Sequence, residues 1–556
     1  MKRKAVAAVL TAVMVASMFT GCGSDNGSSS AKSASAASAA SAANKSTSAA
    51  SAANDTVDED GKVNGIMYQE GLPLVDEGDY TFSIFCDDSS ESGEFIMLDE
   101  FKKQTNVDVD LKIYPYETAT ERLNLDLNSG DYADVIGGWT LSDNAILTYG
   151  VNQGVFIPLE DYFEKYCPNI SAILDLPGVR EKMTAPDGHI YTIPYVCADT
   201  TVGYSPYINT KWLENVGMSM PTTTDEFEAV LKAFKEQDAN GNGDASDEIP
   251  FSTDPNNKHI EAMAGYFGLP MNKLGIAIQN EKVVYGGVSD TYREFLSWFH
   301  KLYAEGLVDV ELYTQDSSTW EGKGNQDLYG VSIAYGSNEF TGIPAAEERG
   351  DFDSMPVLNT DKDGIWLRDT EGFSVYRTQA VITNKAEHPE IICRWFDNAF
   401  ALENGIGCNR GPVGVIVNKE DDGYHAIDTT TLSEEDQEKY SWGNLWPQSL
   451  PKYLPVDFEF VEEHPMYDEK KATEEAYEAN LTKEIIPSYW IDLDKIDTFS
   501  DTNTAIKDFF EQQQAQFVCG ELDIDNDADW QAYVDGMYSL GLEDWVATQG
   551  IEEIAK

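Results

Sequence analysis

Between Tyr80 and Trp139 the spacing of apolar residues switches between strand-like and helix-like four times, and no other feature narrows the fold so far. "YTFSIFCDD" (80–88) alternates and is rich in β-formers, "SGEFIMLDEFKKQTN" (92–106) sets Phe95, Leu98 and Phe101 at helical spacing, and "VDVDLKIYP" (107–115) alternates again. A helix-like "ETATERLNLDLNSGD" and a short strand "ADVIGGW" follow, ending at Trp139. This β-α-β-α-β order predicts an α/β fold with a mostly parallel sheet and helices on both faces. Ligands of such sheets lie beyond the strand carboxyl ends, where Trp139 falls.

The middle of the chain reads as helical. In "TTTDEFEAVLKAFKEQD" (222–238), Thr223 and Glu226 have capping-box spacing, and Phe227, Val230, Leu231 and Phe234 share one face. "SDTYREFLSWFHKLYAEGL" (289–307) places Phe295, Trp298, Phe299 and Leu302 similarly and stops near Gly306. "GFSVYRTQAVITNK" (372–385) returns to alternation, "HPEIICRWFDNAF" (388–400) to helix, and helical segments run from about Asn503 to the end. Trp212, Trp298, Trp395, Trp530 and Trp545 lie in helical patterns and read as core.

The first 22 residues begin with Lys2, Arg3 and Lys4 and continue into an apolar run too short to span a bilayer as a mature helix. They read as a secretory signal, residues 1–21. Phe19, Thr20, Gly21 and Cys22 resemble the lipobox of bacterial lipoproteins, which implies acylation of Cys22; an ordinary signal peptide that happens to contain a cysteine is the alternative. Next come Ser, Ala, Gly, Asn and Lys with no apolar period, to about residue 57. Some 34 residues of flexible coil reach roughly 30 Å. Acylated Cys22 and a disordered tether are assigned to 22–75. No later apolar stretch is long enough for a transmembrane helix, so the body is expected to be anchored to the membrane.

About 490 residues remain, more than one hydrophobic core usually serves, which predicts at least two lobes. The formal charge is −59, which makes nucleic acid and anionic lipid poor partners for the surface as a whole. Cys86, Cys167, Cys197, Cys393, Cys408 and Cys519 are scattered without C-x-x-C spacing, against zinc or thioredoxin-like chemistry. They read mostly as small buried groups, with no connectivity defined.

"EQDANGNGDASDEIP" (236–250) carries oxygen ligands at alternate positions. Asp238, Asn240 and Asn242 occupy relative positions 1, 3 and 5, Gly243 allows the turn at 6, and Asp244 offers its backbone carbonyl at 7, a pattern suited to calcium. The EF-hand glutamate at position 12 is replaced by Ile249, and Asp247 and Glu248 follow closely instead. An unmetallated Asn-Gly turn is the alternative. Asp523, Asp525, Asp527 and Asp529 lack the glycine and read as a cap for the helix containing Trp530.

Five segments in order carry a family resemblance: "SGDYADVI" (129–136), "GHIYTIPYV" (188–196), residues 207–250, "EKVVYGGVSDTYREFLSWFHKLYAEGLVD" (281–309) and "QAQFVCGELDIDNDADWQAYVDGMYSLGLEDW" (514–545). From about Tyr80 onward the chain resembles bacterial extracellular solute-binding lipoproteins of ABC importers, in the subgroup of LplA-like and alginate-binding oligosaccharide binders. The resemblance implies a two-lobe periplasmic-binding-protein-like fold of type II, with ligand enclosed between discontinuous lobes joined by a hinge. It implies crossings near Tyr195 to Gly203 and Trp366 to Gly372, lobe 1 over 76–198 and 370–420, and lobe 2 with C-terminal helices over 199–369 and 421–556. The family's calcium loop also carries the acidic pair, one residue nearer than Asp247 and Glu248 stand here. The expected setting is the extracellular face of a Gram-positive-type membrane, with ABC permease subunits as partners, a monomeric state and structural Ca2+ as cofactor.

Sugar chains are recognised by flat aromatic platforms and planar polar groups. Candidates near the crossings are Trp139, Tyr195, Asp199, Tyr204, Glu339 and Phe340; Arg410 in "GCNRGP" and Trp446 in "SWGNLWPQSLP" join them from loops. For each the alternative is packing or a surface ion pair. No H-E-x-x-H, G-x-S-x-G or P-loop motif is present, so no enzyme class is supported by motif. Two competing classes stay open at this point: a tethered sensor or adhesion protein, and a surface glycosidase, which needs only two carboxylates. The ligand is expected to be an oligosaccharide or another small solute.

Overall fold

The computed structural model describes residues 55–88, 94–254, 259–342, 350–427, 429–458, 460–461 and 465–555. The expected signal, Cys22 and the Ser/Ala-rich run lie outside them. The tether assignment is too long at its far end: Lys62–Val63 pairs with Met67–Tyr68 in a hairpin, and Val63, Met67, Leu74 and Val75 are buried in the first core. These scattered apolar residues form no regular period, so the sequence reading passed over them.

The strands of the two main sheets are β1 (Tyr80–Asp87), β2 (Val107–Tyr114), β3 (Val135–Gly137), β4 (Thr192–Ala198), β5 (Ser205–Asn209), β6 (Ile249–Thr253), β7 (Tyr329–Ala334), β8 (Phe352–Ser354) and β9 (Phe373–Ile382). The first sheet has the order β2-β1-β3-β9-β4. β1 runs parallel to β2 and β3, because α1 (Ile96–Thr105) and α2 (Tyr116–Ser129) supply the crossovers. β9 is antiparallel to both β3 and β4. Four of the five strands therefore share one direction, as a mostly parallel sheet requires, and β9 alone runs against them. β9 enters from the second sheet rather than through a crossover helix, so nothing in its connection imposes the parallel direction.

The second sheet, in the order β8-β5-β7-β6, pairs β7 antiparallel with β5 and parallel with β6. Over it pack the helices legible in the sequence. Thr223 Oγ1 accepts the Glu226 N–H at 3.2 Å and caps α3 (Thr224–Glu236), whose Phe227, Val230, Leu231 and Phe234 are sealed in the second core. Burying each such side chain contributes about 1.5–3 kcal/mol. α4 (Asp290–Ala304), capped by Ser289, adds Phe295, Phe299 and Leu302 to the same core.

Two crossing segments join these bodies. Residues 199–204 lead from β4 to β5, and 355–372 lead from β8 to β9. They pair with each other: the Asp199 N–H donates to Gly372 O at 3.1 Å, and the Asp369 N–H donates to Thr201 O at 3.0 Å. The Gly203 N–H donates to the Asp369 carboxylate at 2.7 Å, and Thr370 Oγ1 to Thr200 O at 3.0 Å.

The C-terminal region does not belong to one lobe. α5 (Pro389–Ala399) and the segment holding Trp446 and Leu450 complete the first core, so assigning everything after 420 to the second lobe is wrong for that segment. The chain then enters α6 (Pro465–Tyr477), where Tyr477 donates to Met355 O at 2.7 Å in the second body. Ile491 and Ile496 return to pack on Leu147, and α7 (Ile496–Cys519) places Phe510 and Phe517 in the second core. Among the described residues no helix is long and apolar enough to cross a membrane.

Trp446 is fully buried, stacked on Trp395 with ring centroids 5.7 Å apart. Trp446→Ala is expected to destabilise the first lobe by about 3–5 kcal/mol, read as a lower urea midpoint. An unchanged midpoint would contradict the packing role.

Candidate functional site

The site begins with a carboxylate at a strand end. Asp87, the last residue of β1, is buried and accepts the N–H groups of Trp139 at 3.0 Å and Thr140 at 2.6 Å. It thereby folds the chain back just after β3. Gly138 sits at φ +137°, and a Cβ there would lie 2.3 Å from the Asp87 carboxylate, so only glycine fits the turn. Burial pushes the Asp87 carboxyl upward, opposed by the hydrogen bonds it accepts from Thr140 and Trp139.

That turn projects Trp139 from the carboxyl end of the sheet. It remains 46% exposed, with its ring edge-on to Tyr376 at 5.3 Å and Tyr195 at 6.4 Å. Tyr195 on β4 and Tyr376 on β9 are direct cross-strand partners and stack at 5.4 Å with 25° between planes. Immediately beyond Tyr376 the register slips, a bulge that turns Arg377 aside. Its guanidinium forms a two-pronged ion pair with Asp143, donates to Tyr489 O at 2.8 Å and lies 4.2 Å over the Trp490 ring. A recess of about 280 Å³ opens here, lined by Ser142, Asp143, Tyr376, Arg377 and Ser488 among others.

The crossing segments add a polar wall. Asp199 accepts hydrogen bonds from Ser374 Oγ, the Thr200 N–H and, at 3.4 Å, the Tyr335 hydroxyl. Tyr204 stacks on His259 at 3.9 Å and meets Tyr335 edge-on at 6.0 Å. Lys470, brought in by α6, donates to Gly203 O at 2.7 Å and lies 3.9 Å over the Tyr335 ring. Burial lowers the Lys470 ammonium to about 8. Glu339 accepts the Tyr335 N–H at 2.9 Å, and burial, reinforced by Asp254, raises its carboxyl to about 7.

The structure thus gathers Trp139 with Tyr195, and Asp199, Tyr204 and Glu339 around Tyr335. Two candidates require correction. Phe340 is sealed among Trp320, Tyr329 and Phe352 rather than facing a cleft, because the short helix at Asn338–Thr341 turns Glu339 and Phe340 to opposite sides. Trp446 is core, as described. Arg410 lies apart, 5.7 Å from the Phe460 ring and donating weakly to Asn409 O. Sequence reading missed Tyr376, Arg377, Tyr335 and Lys470; of these, only Tyr376 had a local signal, an aromatic four residues beyond the second crossing.

The acidic loop after α3 is internally bonded. Asp238 Oδ2 accepts the Gly243 N–H at 3.0 Å, Glu248 Oε1 accepts the Ala239 N–H at 2.9 Å, and Asp247 takes the amides of Asn240 and Asn242 at 3.2 and 2.8 Å. Asp244 accepts from Ser246. Asp238 Oδ1 and Glu248 Oε2 are buried without a hydrogen-bond partner. Leaving such an atom unsatisfied costs about 1–3 kcal/mol or more, and a partnerless carboxylate oxygen is the donor type a hard cation takes.

Residues 89–405 match the family model described as bacterial extracellular solute-binding protein. The chain belongs to this family. Its members bind solutes for import and are not enzymes, and the two-lobe fold is theirs. The fructooligosaccharide ABC transporter substrate-binding protein FusA of Streptococcus pneumoniae is 32% identical over 374 residues, covering 65% of this chain and 67% of FusA. The structure of FusA in complex with kestose matches with a TM-score of 0.74 at 26% identity, over 84% of this chain and 98% of the other. An EF-hand mutant of FusA in complex with fructo-nystose matches at 0.72 and 27% identity, over the same 84% and 98%. Lipoprotein LipO of Bacillus subtilis is 28% identical over 280 residues, covering 49% of this chain and 52% of LipO.

Glu339 supplies a pH test of this solute-binding protein. Its folded pKa, about 7, lies above the ordinary carboxylate value. The native state therefore holds a proton the unfolded chain releases, and this contribution to stability is fully present at low pH and is lost as pH rises through 7. Glu339→Gln is expected to gain melting temperature relative to wild type as pH rises from about 5 to about 8. A difference that stays constant across that range would contradict the burial of this carboxyl.

Proposed function

We propose that this solute-binding protein captures an oligosaccharide between its lobes and delivers it unaltered to ABC permease subunits. The observation that carries this reading is Trp139, left half-exposed on the stacked Tyr195 and Tyr376 at the carboxyl end of the first sheet. Three rings at angles to one another offer platforms for the apolar faces of sugar rings, and Asp199 and Glu339 offer planar acceptors for hydroxyl pairs. Two cations of the site are already engaged, Arg377 by Asp143 and Lys470 by backbone carbonyls. That favours a neutral sugar over a uronate. The kestose and fructo-nystose complexes of FusA support the same class of ligand.

In this reading Cys22 carries the lipid anchor, the residues that follow it tether a monomeric body to the extracellular face of a Gram-positive-type membrane, and LipO supports a lipoprotein setting. The lobes comprise the first-sheet body, 62–198 with 373–453, and the second-sheet body, 205–366 with 465–482 and the C-terminal helices. Asp238, Asn240, Asn242, Asp244, Asp247 and Glu248 hold a structural calcium ion that would engage the two orphaned oxygens of Asp238 and Glu248. The ion would neutralise the loop and fix the end of α3.

A panel of neutral and acidic oligosaccharides, scored by thermal shift with product analysis of the same samples, tests the function. Stabilisation by a neutral glycan without new reducing ends is expected, whereas cleavage, or no shift with any glycan, would contradict it. With the stabilising glycan, Trp139→Ala is expected to weaken binding about tenfold or more; unchanged affinity would remove Trp139 from the site. Chelation is expected to lower the melting temperature, calcium to restore it, and Asp238→Asn to abolish the response. Identical melts with chelator and with calcium would refute the metal.

A further inference from the structure

Beside the tyrosine pair stands an arginine whose fork is already filled. Arg377 follows Tyr376 on β9 and is buried. Its Nε donates to Asp143 Oδ1 at 2.8 Å and its Nη2 to Asp143 Oδ2, the paired geometry in which a guanidinium receives a carboxylate. The rest of the group is fixed from other sides. Nη2 also donates to Tyr489 O at 2.8 Å, and the guanidinium lies 4.2 Å from the centre of the Trp490 ring, whose Nε1 donates to Lys182 O at 3.1 Å.

The two partners of this ion pair differ in access. The Asp143 side chain is 29% exposed and that of Arg377 7%, and both line the recess beside Tyr376, together with Ser142 and Ser488. A carboxylate entering the recess therefore meets Asp143 more readily than Arg377 and is repelled by it, whereas a neutral ring meets no such repulsion. We infer that Asp143 sets the charge specificity of this site: its carboxylate occupies the seat on Arg377 that the carboxylate of a uronic acid would otherwise take. The inference rests on the proposed capture of a sugar at the tyrosine pair and adds the residue that turns acidic ligands away.

Removing the Asp143 carboxylate leaves the Arg377 charge buried and uncompensated, still held by Tyr489 O and the Trp490 ring and facing the recess. A small carboxylate can then restore the pair, and an acidic sugar gains a two-pronged partner that a neutral sugar cannot use. The turn that carries Asp143 has its own support, because Ser142 Oγ accepts the Ala145 N–H at 3.2 Å and Ser142 O accepts the Ile146 N–H at 3.0 Å. Its backbone is therefore fixed without the ion pair.

The test has two arms, and the first needs no glycan. Asp143→Ala is expected to melt lower than the wild type and to gain more melting temperature from sodium formate than from sodium chloride at equal ionic strength. That margin is expected to be absent from the wild type and from the double variant Asp143→Ala with Arg377→Met. The second arm compares a neutral glycan that stabilises the wild type with the same glycan oxidised to carboxylates at its primary alcohols. The ratio of the two affinities, acidic over neutral, is expected to rise about tenfold or more in Asp143→Ala and to fall back in the double variant. Asp143→Asn keeps the shape and drops the charge; it is expected to raise the same ratio, and it decides the matter if Asp143→Ala does not fold. No formate margin, an unchanged ratio, or a rise that survives the loss of Arg377 would each overturn the inference. A wild type bound by no neutral glycan would overturn the capture reading instead, and the formate arm would then decide the seat on Arg377 alone.

Discussion

The site depends on the backbone pairing of the two segments that cross between the sheets. Asp199 to Gly203 and Asp369 to Gly372 exchange main-chain and side-chain hydrogen bonds over a short span. This pairing sets the register of β4 against β9 from outside the sheet. Tyr195 and Tyr376 become cross-strand partners as a result, and Ser374 reaches Asp199. A slip of one residue would send Tyr376 to the opposite face. The tyrosine pair would then be lost, together with the surface on which Trp139 rests.

Around that pairing the protein places Glu339 and Lys470 in poor solvent. Burial pushes the Glu339 carboxyl up and the Lys470 ammonium down. Charges in such surroundings are costly to hold. The hydrogen bonds of the crossing segments and the aromatic contacts at Tyr335 offset that cost. A junction of opposing contributions suits a two-state hinge, because a ligand of modest binding energy can shift the balance between open and closed populations.

The sequence was most informative where one element carried its own pattern. The helix at Thr224–Glu236 announced itself through Thr223 and four apolar residues on one face, and β1 and β2 through alternation. Trp139 was legible as the residue just beyond a strand's carboxyl end because "ADVIGGW" closes the β-α-β-α-β run. What stayed hidden depended on contacts between distant parts of the chain. The direction of β9 follows from its arrival out of the second sheet, and the burial of Trp446 from Trp395 and Phe101, which lie far away in sequence. Phe340 and Glu339 are neighbours, yet one is core and the other faces Tyr335. No periodicity exists in a one-turn helix to separate them. Tyr376 and Lys470 reach their partners only through the crossings.

The central claim is that two lobes close over a solute held on the tyrosine pair. Small-angle scattering of the soluble body, with and without a glycan that stabilises it, tests this most directly. The account predicts a smaller radius of gyration and a shorter maximum dimension on binding, and loss of both changes together with binding in a variant lacking the Trp139 ring. A saturated complex whose scattering curve matches the free protein would contradict it.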